Sequence, residues 1–363
     1  MKAKNAIVVI ILLTLTTITT SITGICQPVI KSDKEELFPI KQNGKEGFID
    51  MLGHIVIKPQ FEDVGYFSEG LASIKRGNKY GFINKSGDII ISPQFDWVGF
   101  FSEELADVRI GDWKNGKVGF IDKSGKYIIN PQFDAAGRFT DGLAYIRVGD
   151  LLDHKCGLID KTGKIVVNPQ FDNYFLFFFE GLASAEVDGK YGFIDKTGKY
   201  IINPAFDMVG PFCNGFASAK IGEKWGFINT TGSFVINPQF DEANMLAEGL
   251  ACVKINGKWG FIDTNGETIV NPQFDEINGR ISEGLICVRV GGKLGSGKYG
   301  FVDATGTYII NPQFDYAEGF YHGLAAVKTN DQFHYIDKNG TIVWTSNETP
   351  SFYEVLFNKE ENK

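Results

Sequence analysis

Residues 119–134, Gly-Phe-Ile-Asp-Lys-Ser-Gly-Lys-Tyr-Ile-Ile-Asn-Pro-Gln-Phe-Asp, return almost letter for letter at 192–207 and 260–275. A period near 34 residues restricts the chain to a repeat array, because one copy is too small to bury its own apolar face and must stack on its neighbours. A glycine column runs through Gly47, Gly81, Gly119, Gly157, Gly192, Gly226, Gly260 and Gly300. A proline stands 12 residues after each, from Pro59 to Pro312, so the segment between them is one structural piece.

Three segments per unit read as strands, for example Leu71-Ala72-Ser73-Ile74-Lys75, Tyr80-Gly81-Phe82-Ile83 and Ile89-Ile90-Ile91-Ser92-Pro93-Gln94-Phe95. They are short, rich in β-branched and aromatic residues, and bounded by turn signals. Asp-Lys-Ser/Thr-Gly (Asp122 to Gly125) and Asn256-Gly257-Lys258 are turn chemistry. The proline places strand three at a sheet edge or at a bulge, since it donates no ladder bond; Asn130 and Gln132 are placed to cap the backbone groups so freed. The strand-two glycine invites close backbone approach, with Trp225 or Tyr191 as its cover. An apolar anchor recurs in the connection to the next unit, at Phe67, Phe101, Phe139, Phe178, Phe212, Leu246, Ile281 and Phe320, and reads as core.

Strand one begins nine times, from Leu37 to Leu324, and the end units diverge: His334 stands in the glycine column, and Thr341-Ile342-Val343-Trp344 replaces the Pro-Gln-Phe string. The expectation is an all-β tandem array of nine three-stranded antiparallel units, open and solenoid-like, with terminal caps. A β-propeller is the alternative. Propellers favour four strands per blade and four to eight blades, and no unit here is split between the termini.

Lys224-Trp225-Gly226-Phe227-Ile228 and Lys258-Trp259-Gly260-Phe261-Ile262, with the Asn-Pro-Gln-Phe-Asp and Glu-Gly-Leu-Ala strings, resemble the bacterial WG-repeat (KWG-repeat) family over residues 37–345. Tyr80, Tyr191, Tyr299, Val118 and Cys156 replace the tryptophan in its column while the rest of each unit holds. The resemblance implies an all-β repeat domain acting in interaction, and it carries no catalytic residues.

Residues 1–26 have the plan of a secretory signal: Lys2 and Lys4, an apolar run from Ala6 to Thr23, then polar residues from Gln27. A retained anchor and lipidation at Cys26 are the rival readings; Ile25 stands where a lipidation motif wants a small residue. A linker follows over 27–36, the repeat domain over 37–345, and a cap and tail over 346–363, with Phe352, Val355, Leu356 and Phe357 docking as the cap. The expected location is periplasmic, cell-surface or secreted, with no membrane span after signal removal. The net charge of −8 argues against nucleic acid and against anionic membranes as partners.

No residue set reads as catalytic, and no cofactor or metal is expected. His54, His154, His322 and His334 fall in four different columns. Residues 292–298 match most of a phosphate-binding loop, but Tyr299 replaces Ser/Thr and a strand follows where a helix is needed. Two acid columns, Asp50 to Asp337 and Glu62 to Asp315, suit a calcium ladder, though turn chemistry already explains the first. Cys252 and Cys287 share a column in adjacent units and read as a disulfide or as two small core residues. Three insertions fall in the hairpin between strands one and two, and carry Trp113, Leu151, Leu152 and His154. Insertions at one structural position project from one edge of an array, which makes these four the candidate ligand contacts. The functional expectation is a non-enzymatic exported binding or scaffold protein with a protein or glycan partner. An enzyme acting on envelope polysaccharide and a self-associating surface protein are the alternatives.

Overall fold

A computed structural model describes residues 36–149, 153–172, 177–292 and 296–353. The expected strands form, with the expected turns. In blade 2 they are Leu71–Arg76, Lys79–Asn84 and Ile89–Phe95. The connection to the next unit adds a fourth, Asp63–Val64, so the sheet order is short strand, one, two, three. Eight sheets have four strands, and the first shows three within the described residues, Phe38–Gln42, Lys45–Ile49 and Ile55–Phe61. The eight apolar anchors lie in or just after this fourth strand in blades 2–9 and are all buried, from Phe67 at 7% to Phe139 and Phe212 at 0% exposure.

Strand three is both an edge and bulged. Tyr80 pairs with Phe95 and Phe82 with Ile91, so three residues of strand two oppose five of strand three. The extra backbone crosses over Gly81, where a Cβ would lie 2.3 Å from Ile91 O and 2.7 Å from Pro93 N. The glycine is therefore set by strand three, not by the neighbouring aromatic. Gln94 Nε2 donates to Ser92 O at 3.3 Å across the bulge, and Gln60 and Gln313 repeat the contact.

The expectation of an open array is corrected: the nine blades close into a ring, a nine-bladed β-propeller. Closure reuses the contacts between ordinary neighbours. In blade 3 the turn glycine Gly125 sits against Ile91 of blade 2, and in blade 1 Gly53 sits against Val343 of blade 9. Asp96 accepts from Gly111 N in the next blade at 2.8 Å; across the closure Glu348 accepts from Gly44 N at 2.8 Å. Phe38, Ile40 and Ile49 share one core cluster with Leu324, Phe333 and Tyr335.

Two further devices hold this seam without a split blade. Tyr335 Oη donates to Pro39 O at 2.8 Å, and Ser346 Oγ to Lys41 O at 2.9 Å. The helical turn at 351–353 inserts Tyr353 beside Phe333, Tyr335 and Tyr66, with its hydroxyl bonded to that of Tyr66. Glu46 stands where other units carry the WG-column aromatic. Fully buried, it accepts from Val64 N at 2.9 Å and from Ser351 N at 2.6 Å. Phe352 packs against Tyr66; Val355, Leu356 and Phe357, the other residues of the expected cap, lie outside the described residues.

Candidate functional site

Much of the charge that sequence offers as a site is consumed in building the ring. Strands alternate in direction, so the hairpins joining strands one and two share a face with the links between blades. On that face each acid of the second column joins two blades. Asp96 accepts from Lys79 Nζ of blade 2 at 2.6 Å and from Gly111 N of blade 3. Asp207 does the same with Lys190 and Gly222 N, and Asp275 with Lys258 and Gly291 N. The lysine two residues before the strand-two glycine is thus the partner of this carboxylate. The lysine and the next blade's N–H hold the Asp96 and Asp207 carboxyls below the usual range.

On the opposite face Glu69 accepts from Glu103 N at 2.6 Å and Glu104 N at 3.0 Å, and Glu180 from Asn214 N and Gly215 N. The first acid column works within its turns: Asp122 Oδ1 accepts from Ser124 N, Ser124 Oγ and Lys126 N. Among the described residues no three His, Cys, Asp or Glu side chains group as a metal site. Cys252 and Cys287 are separate free thiols, both buried, and burial pushes the Cys252 thiol up to about 12.

What departs from this scheme gathers around blades 3 and 4. In most ordinary blades a cation on strand one faces the WG-column aromatic across the hairpin; in blade 5 it is Glu186 that faces Tyr191. Lys254 pairs with Trp259 and lies 5.6 Å over its ring, and Lys75 pairs with Tyr80 likewise. In blades 3 and 4 the aromatic is Val118 or Cys156, and the cation is Arg109 or Arg147, each buried. Arg109 turns to the long hairpin. It donates from Nη1 to Gly116 O at 2.9 Å and from Nη2 to Asp134 O at 2.8 Å. The hairpin returns the missing aromatic, since Arg109 lies 4.9 Å over the ring of Trp113.

Trp113 also meets Trp97 at 5.8 Å and 60°, yet stays 60% exposed. On the same hairpin Ile110, Gly111, Asp112, Asn115, Gly116 and Lys117, with Pro131, line an open depression of about 380 Å³. Asp112 Oδ1 accepts from Lys114 N and Asn115 N, which fix the turn and hold its carboxyl below the usual range.

A buried charge cluster lies between the same blades. Asp107, 4% exposed, sits in the notch left by Gly99, and burial pushes its carboxyl up to about 7 against the pull of Arg138 and Arg109. Burial lowers Arg138 to about 10, and its guanidinium lies 5.6 Å over Phe177.

Of the four candidate contacts, Trp113 lies on the blade 3 hairpin. His154 opens strand two of blade 4, half-buried and paired with Gly149. The two occupy neighbouring hairpins of one face, while the ring contacts of Trp113 go to Trp97 and Arg109 of its own blade. Leu151 and Leu152 lie outside the described residues. Arg109 and Trp97 belong to no motif in the sequence, but one signal was there. Arginine stands at the fifth position of strand one in the three units with long hairpins, Arg109, Arg147 and Arg289, and in no other. Arg289 likewise donates to its hairpin, at Gly292 O, 3.2 Å.

A family described as "WG containing repeat" matches eight times, at residues 47–80, 80–112, 119–151, 157–191, 191–225, 225–259, 259–293 and 299–333. The chain belongs to the WG-repeat family. Its defining dipeptide has a structural reading here: the aromatic packs across the hairpin against strand one, most often beside a cation, and the glycine admits strand three. A search of curated proteins finds no match. Among solved structures, "Crystal structure of the eukaryotic initiation factor" aligns with TM-score 0.61 at 12% identity, over 86% of this chain and 96% of that one. At that identity the likeness speaks to fold alone. A dihydro-heme d1 dehydrogenase, NirN, aligns more loosely, with TM-score 0.47 at 12% identity over 88% of this chain and 74% of that one. So does an uncharacterized protein, lmo1340, from Listeria monocytogenes EGD-e, with TM-score 0.42 at 11% identity over 80% and 96%.

Proposed function

We propose that this WG-repeat ring is a non-enzymatic binding module, exported to the cell envelope or beyond, that recognises its ligand at the long hairpins of blades 3 and 4. One observation carries the reading. The repeated polar residues are engaged in joining blades, whereas Trp113, outside the repeat, is exposed on an inserted hairpin. A large aromatic held rigidly at a surface is the commonest kind of binding anchor.

The test replaces residues 111–116 by the short Asn-Gly turn of blade 7 (Asn256-Gly257). Intact cells carrying either form are crosslinked, and what the tagged ring captures is identified. Capture by the native ring that disappears with the short turn supports the reading. Equal capture by both forms overturns it.

A further inference from the structure

The depression beside Trp113 has the chemistry of a carbohydrate subsite, and we propose that it binds a neutral β-linked hexose oligomer. This rests on the hairpin being the recognition element. Arg109 lies over the indole of Trp113, and Trp97 meets it at 60°, so the ring is held while most of its surface stays in water. A rigid, exposed indole suits the C–H face of a hexose: the sugar covers apolar surface there while its equatorial hydroxyls point sideways. Asp112 and Asn115 line the depression on the same hairpin, a carboxylate acceptor and an amide that both donates and accepts. The turn bonds from Lys114 N and Asn115 N keep that carboxylate in place.

Size and charge narrow the class. A volume of about 380 Å³ lies at the low end of the roughly 300–1,000 Å³ of small-ligand sites. The large apolar groups exposed on this hairpin are Trp113 and Ile110, far short of the ~800 Å² per partner of a stable protein interface. Lys117 is paired with Asp134, and both terminal nitrogens of Arg109 donate to backbone carbonyls; Lys114 is the one other cation of this hairpin, and a single exposed lysine beside the Asp112 carboxylate makes no site for an anionic polymer. With net charge −8 over the chain, an uncharged glycan is the chemistry that fits.

The probes are cello- and chito-oligosaccharides of four to six units, titrated into the purified ring and read by calorimetry and tryptophan fluorescence. Saturable binding is expected with Kd on the order of 10–1,000 µM. Trp113→Ala should weaken it at least about tenfold and Asn115→Ala about threefold, both with unchanged melting temperature, while Trp113→Tyr should retain most of it. Absence of binding to either series, or binding that survives Trp113→Ala, overturns the glycan assignment. If the hairpin-dependent capture from cells still occurs in that case, the recognition hairpin stands and its ligand is a protein. If that capture is lost as well, both readings fall.

Discussion

Replacing Glu46 by glutamine tests how the ring closes. The carboxyl is fully buried at the seam and accepts one N–H from blade 2, at Val64, and one from the C-terminal turn, at Ser351. Glutamine offers one acceptor oxygen in the same volume. One of the two N–H groups then faces an NH₂ and goes unpaired, at a cost of about 1–3 kcal/mol. The pH dependence is the sharper readout. Burial is the largest influence on Glu46 and, with Asp63 acting in the same sense, pushes it from 4.5 up to about 7 against the lowering effect of the Ser351 and Val64 N–H groups. Tyr80 and Tyr335 also face it, and burial pushes both phenols upward, out of the range of interest.

A folded-state value above the unfolded one means that the stabilising contribution is complete below about pH 4.5 and is lost as pH rises through about 7. Between pH 5 and pH 8 the native seam should therefore weaken by on the order of 3 kcal/mol at most. The variant should lose most of that slope, keeping only what Asp63 adds. Amide exchange of residues 38–49 and 332–346, corrected for intrinsic rates, reads the seam locally, and thermal melts at pH 5 and 8 accompany it. An unchanged slope in Glu46→Gln, or a seam that strengthens as pH rises, would refute the reasoning.

Gly260→Ala should cost at least about 3 kcal/mol, because its Cβ would lie 2.4 Å from Val270 O and 2.7 Å from Pro272 N, both backbone. Gly257→Ala, with open space but φ of +78°, should cost only about 1–2 kcal/mol; urea unfolding of the two variants side by side checks the order. Lys258→Met should cost under about 0.5 kcal/mol, since its pair with Asp275 is half-exposed. Asp275→Ala should cost about 1 kcal/mol more, because the Gly291 N–H of the next blade loses its acceptor; equal losses would count against the inter-blade clasp. Tyr353→Ala should raise exchange in blades 1 and 9 while leaving blade 5 unchanged, and uniform exchange would show that the C-terminal turn is no latch.

Local structure was legible in the sequence because each repeated residue answers a local demand. Asp122 and Gly125 make their turn, Phe139 fills the core, and Pro131 and Gln132 mark the bulge, all within a few residues of where they act. The four-stranded blade was hidden because its short strand has only two paired residues in most units, too few to show alternation. The ring was hidden for a different reason. Whether nine similar steps close depends on the rotation between blades summed nine times, and no single unit encodes that sum. Closure is decided by contacts across some 300 residues of chain, Glu348 with Gly44 and Ser351 with Glu46. The candidate site divides the same way. The inserted hairpin and its tryptophan could be read from spacing alone. That Trp113 replaces, over Arg109, the aromatic that Val118 had given up is a fact of packing between side chains, and only the folded chain brings them together.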